Sequence, residues 1–129
     1  MRTLGLLALG LLECSGCIVA TDHSGPDGAF TVDWTVDGTT DPSQCRQGDA
    51  TTFDLIVETR SGDFVDEYEA DCEAFEISID LPPGRYQASA VLLDSRGDER
   101  TTQVDLDPFT VFEADELIVD VDFPARSFY

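Results

Sequence analysis

The chain has no lysine: its seven basic residues are all arginines. That removes Schiff-base chemistry and any Ser-Lys dyad. It has one histidine, His23, in a stretch of Gly, Pro, Asp and Ser. A Ser-His-Asp or Cys-His arrangement needs a positioned imidazole, and a lone His in a polar segment does not supply one. No G-x-S-x-G, G-x-G-x-x-G or phosphate-loop pattern occurs. Basic residues are few, and 27 acidic residues bring the net charge to −20, which argues against binding nucleic acid or an anionic lipid surface through charge. The longest apolar run, Leu4–Leu12, is too short to span a bilayer.

That run is nevertheless the clearest signal in the chain. Met1-Arg2-Thr3 is a short positive start, Leu4–Leu12 is an apolar stretch of signal-peptide length, and Ser15-Gly16 places small residues before Cys17. The order resembles a bacterial lipobox, where the peptidase cuts before a cysteine that then carries the lipid. The resemblance implies a signal peptide over 1–16, lipidation at Cys17 and membrane attachment through acyl chains. Ile18 follows the cysteine instead of Asp, which by the usual sorting rule implies the outer membrane of the envelope. A plain secretory signal, giving a soluble periplasmic or secreted protein, and a buried N-terminal helix are the alternatives.

Cysteine parity fits the cut before Cys17. Of Cys14, Cys17, Cys45 and Cys72, cleavage discards the first and lipidation consumes the second. Cys45 and Cys72 remain as one pair in an oxidising compartment, which predicts a disulfide. Two cysteines alone do not close a zinc shell. A loop of this length closed by a disulfide is worth roughly 3–4 kcal/mol in the chain-entropy model.

Residues 18–29 are polar and rich in turn formers, so 17–29 reads as a lipidated cysteine and flexible tether ahead of a single domain over 30–129. Within that domain apolar residues recur with period two. Phe30, Val32, Trp34 and Val36 form one face; Phe53, Leu55 and Val57 a second; Phe64, Tyr68, Ala70 and Cys72 a third. Phe75, Ile77, Ile79 and Leu81 follow, then Tyr86, Ala88, Ala90 and Leu92, then Thr102, Val104 and Leu106. Leu117, Val119, Val121 and Phe123 close the series, with Phe109–Val111 as a short strand or a link. Asp37-Gly38, Ser61-Gly62-Asp63, Pro82-Pro83-Gly84 and Ser95-Arg96-Gly97-Asp98 read as turns, and 41–48 as a polar loop. The pattern predicts an all-β domain: a single antiparallel β-sandwich of about seven strands, with a small barrel as the competing architecture.

Leu81-Pro82-Pro83-Gly84-Arg85-Tyr86, followed by an alternating strand and Asp94-Ser95-Arg96-Gly97, resembles the hairpin of prealbumin-like sandwiches, including carboxypeptidase-regulatory-like domains. The resemblance implies an Ig-like or prealbumin-like sandwich with Tyr86 opening a central strand. The isopeptide bonds common in such families need a lysine, which this chain lacks. The whole layout is similar to uncharacterised bacterial envelope lipoproteins.

Three kinds of chemistry remain to be weighed. Paired carboxylates could serve a secreted glycosidase, but acids here alternate with apolar residues and fall on the solvent face of strands. Calcium could bind the aspartates around the first turn, Asp37 and Asp41 above all, as in a calcium-stabilised adhesion or matrix domain. The plainer reading of those two is turn geometry. Trp34 could form a glycan platform, but it shares a face with Phe30 and Val32 and so belongs to the core. The expectation is a non-enzymatic binding or structural module. It needs no cofactor, touches the membrane through its anchor, and has a protein or glycan partner that no motif names.

Overall fold

The computed structural model describes residues 25–129. The expected signal peptide, Cys17 and most of the tether lie outside the described residues. Eight strands form two sheets: β1 (Gly28–Val36), β2 (Thr52–Thr59), β3 (Phe64–Asp71), β4 (Glu76–Leu81), β5 (Gly84–Leu93), β6 (Val104–Asp105), β7 (Phe109–Val111) and β8 (Glu116–Phe123). One sheet runs β4-β1-β8. The other runs β3-β2-β5-β6, with β7 also pairing to β5. Two separate sheets replace the closed barrel that periodicity alone left open.

The alternation of β1 drives the packing. Phe30, Val32, Trp34 and Val36 are all buried, and they meet Phe53, Leu55, Val57, Ala90 and Leu92 from the second sheet. Trp34 stacks on Phe53 with ring centroids 3.8 Å apart, and Phe30 stacks on Phe109 at 4.1 Å. Each large side chain so buried contributes about 1.5–3 kcal/mol. Trp34 also donates its indole N–H to the Cys72 carbonyl at 2.9 Å, which satisfies its only polar atom inside the core. That seat rules out a surface role for Trp34 in glycan stacking.

Several sequence expectations need correction. β1 begins at Gly28, inside the expected tether. A side chain at Gly28 would press on the Phe112 carbonyl and on Cγ1 of Val111, so the chain enters the sheet where only glycine fits. The sandwich is not wholly antiparallel, because β1 pairs β8 in parallel, from Ala29 opposite Glu116 to Val36 opposite Phe123. The third strand stops at Asp71, and Cys72 sits in a 3₁₀ turn over Cys72–Ala74 that ends on Phe75 in the left-handed region, φ 60°. The sixth strand shrinks to β6, since Asp107-Pro108 breaks the edge and Pro108 has no N–H to pair.

The largest correction is a short helix, α1 (Pro42–Gln47), where a polar loop is expected. Its start is chemically specified. Asp41 caps it, its carboxylate accepting the Ser43 N–H at 3.0 Å, and Pro42 occupies the first turn. So short a helix does not hold by itself. The Cys45–Cys72 disulfide joins it to the 3₁₀ turn after β3, with Cα atoms 6.1 Å apart and both cysteines fully buried. The C-terminal residues also pack: Phe128 pairs with Thr101, and its ring lies against Gly48 behind the helix.

Candidate metal centre

The disulfide and the anchor cysteine are the strongest sites the sequence offers. The first is present as Cys45–Cys72, and Cys17 falls outside the described residues. The two aspartates considered for calcium sit at the turn after β1 and at the start of α1. Asp41 caps α1, and the Ser43 N–H holds its carboxyl below the ordinary aspartate value. Asp37 is the turn residue after β1, at φ 52°, and its N–H donates to the Phe123 carbonyl. The same chemistry accounts for other clustered aspartates. Asp94 accepts the N–H groups of Arg96 (2.8 Å) and Asp98 (3.0 Å), the Asp98 N–H being the main reason its pKa is lowered. Asp122 accepts from Thr35 Oγ1 and the Gly38 N–H. These carboxylates organise turns.

A different trio behaves otherwise. In β2, Phe53, Leu55 and Val57 face the core, so Asp54 must point to the outer face. β2 pairs β3 antiparallel with Asp54 opposite Glu69 and Ile56 opposite Glu67. Residues directly opposite share a face, which brings three acids together. One carboxylate oxygen from each of Asp54, Glu67 and Glu69 lies within 4.8 Å of the other two. Among the described residues this is the grouping of three acids so close together, and it includes neither Asp37 nor Asp41.

Within the trio the environments differ. Glu67 and Glu69 are exposed on the edge strand, while Asp54 is 4% exposed and its Oδ1 has no hydrogen-bond partner. Burial, then a hydrogen bond shared with Glu67, then the charges of Glu67 and Glu69 push the Asp54 pKa up to about 7. Among the described residues no arginine relieves it. Arg60 is committed to the Tyr86 and Phe109 carbonyls, Arg100 to the Gly48 carbonyl, and Arg46 and Arg96 to Glu73 and to Asp94 with Asp98. Three carboxylates so arranged can share a proton or hold a hard cation. They do not oppose one another across a cleft as a glycosidase pair does.

Sequence reading places the acids that alternate with apolar residues on the solvent face of strands, and it misses the trio. The available signal was the acid density of Asp66, Glu67, Glu69 and Asp71 facing a strand that carries one outward Asp. Only the strand register turns that density into a site.

No protein-family model matches the chain, and no curated protein matches it. Among solved structures it is similar to a leucine-rich repeat protein from Bacteroides thetaiotaomicron, at 18% identity and a TM-score of 0.47 over 92% of this chain. It is also similar to the Bacillus anthracis TIE protein, at 12% identity and a TM-score of 0.49 over 84% of this chain. The chain spans only 15% and 19% of the lengths of those two proteins.

Proposed function

We propose that this protein is a lipid-anchored, non-enzymatic module of the bacterial cell envelope. Acyl chains on Cys17 hold it at the outer membrane, and a prealbumin-like sandwich serves as its binding or structural domain. The reading rests on one observation: Ser15-Gly16-Cys17 follows an apolar run of signal length, in a chain whose two later cysteines are spent on each other. A bonded Cys45–Cys72 pair belongs to an oxidising compartment and leaves Cys17 free for another use. The mechanism is tethering, in which two or more chains make attachment stable where one gives only reversible binding.

The sandwich assignment beyond two packed sheets draws on the turn before β5. Pro82-Pro83-Gly84 carries the chain from β4 in one sheet to β5 in the other, and the Tyr86 hydroxyl donates back to the Pro82 carbonyl, fixing the entry to a strand that sits inside its sheet. The strongly acidic surface suits a self-repelling envelope domain. Membrane fractionation tests the anchor. The wild-type chain is expected in the membrane pellet and to leave it only with detergent, whereas Cys17→Ala moves to the soluble fraction. A Cys17→Ala protein that stays membrane-bound refutes the proposal.

A further inference from the structure

We propose that Asp54, Glu67 and Glu69 form a binding site for one hard divalent cation of the calcium class, on the outer face of the β2–β3 pair. Two independent observations carry it. The first is convergence: a carboxylate oxygen of each residue lies within 4.8 Å of the others, a spacing that one ion can bridge. The second is Asp54 itself. It is 4% exposed, its Oδ1 has no hydrogen-bond partner, and one of its carboxylate oxygens lies beside those of Glu67 and Glu69. A buried carboxylate oxygen without a donor is costly, and in native proteins such an atom marks a missing partner. Among the described residues no arginine forms a hydrogen bond or ion pair with it, and Arg46, Arg60, Arg96 and Arg100 are bonded elsewhere. A divalent ion supplies the missing positive charge and neutralises the trio.

The donor set selects the ion class. All three ligands are carboxylates, hard oxygen donors that suit calcium, magnesium or manganese and not zinc or copper. Calcium takes six to eight oxygens, mono- or bidentate, and tolerates irregular geometry. β3 is the edge of its sheet, and Glu67 and Glu69 are exposed, so water can complete the shell from the open side. The site lies on the opposite side of the β2 backbone from the core. Occupancy would bind the acidic edge strand to its neighbour without touching the packing of Trp34 and Phe53. The site differs from the Asp37 and Asp41 turn weighed as a weak candidate from sequence, and the proposal is independent of the lipid anchor.

Isothermal titration of CaCl₂ into the EDTA-treated full chain at pH 8 tests the site. One saturable event per chain is expected, with a Kd of about 10⁻⁴–10⁻³ M, the range of extracellular calcium modules. Asp54→Asn and Glu69→Gln are each expected to weaken it at least tenfold. Asp120→Asn, on the exposed edge strand β8, makes the same charge change and should leave it unaltered. Asp54→Asn relieves a buried charge, so it is expected to fold; an unchanged circular dichroism spectrum confirms that its loss is local. Absence of a saturable event, binding that survives both substitutions, or equal weakening by Asp120→Asn overturns the proposal, the last outcome meaning diffuse attraction to surface charge.

Discussion

Removing the Cys45–Cys72 disulfide should cost a large part of this domain's stability, and the cost follows from its position. The bond closes a loop of sequence separation 27. In the chain-entropy model, cross-linking that loop removes about 12 cal/mol/K from the unfolded ensemble, or about 3.5 kcal/mol at 25 °C. Both cysteines are fully buried, so replacing them with alanine adds a small cavity cost of about 1 kcal/mol. The Cys45→Ala/Cys72→Ala protein should therefore be less stable by about 4.5 kcal/mol. At a urea m-value of about 1–3 kcal/mol/M, its midpoint falls by roughly 1.5–4.5 M. Reduction of the wild-type chain should reproduce most of the loss, because the entropic part needs only the bond to open. Two-state urea unfolding followed by Trp34 fluorescence gives the number directly. A loss below about 1 kcal/mol in both the variant and the reduced wild type would refute the claim that α1 and the turn after β3 are held by this bond.

Three further outcomes follow from the core, the sheet entry and the acid trio. Trp34→Phe should destabilise by about 2–3 kcal/mol in urea unfolding, because it strands the buried Cys72 carbonyl and loses ring area stacked on Phe53. Gly28→Ala should cost about 1–3 kcal/mol, since its methyl meets the Phe112 backbone and the Val111 side chain; wild-type stability would show that the entry can shift. In EDTA, stability should fall as pH rises from about 4 through about 7. Asp54 keeps its proton in the folded state up to about 7, whereas the unfolded chain loses it near 3.8, so the native state binds the extra proton across that window. Asp54→Asn should flatten that decline in pH-dependent melts, and an unchanged slope would contradict it.

Much of the strand content was legible because one face of each sheet is buried. Phe30 to Val36 and Phe53 to Val57 alternate so regularly that no other element fits them. The disulfide was legible from parity and compartment. The parallel β1–β8 pair was not, because period two reports which face is buried and says nothing of the direction of the neighbour. The helix α1 was hidden because Asp41, Pro42 and Ser43 are turn residues and helix-start residues alike, and six residues show no helical period. The candidate site was hidden for a third reason. Asp54 reads as one more solvent-facing acid until pairing with β3 places Glu69 opposite and Glu67 diagonal to it, with enough cover to leave Oδ1 dry. Burial on the nominal solvent face is a property of neighbouring strands that the local pattern does not encode.

The most direct test of the envelope-lipoprotein account is mass spectrometry of the protein purified from membranes without reductant and digested without alkylation. The account predicts an N-terminal peptide that starts at Cys17 and carries acyl mass, together with Cys45 and Cys72 recovered as one disulfide-linked pair of peptides. A mature N-terminus elsewhere with Cys17 unmodified, or free thiols at Cys45 and Cys72, would contradict it.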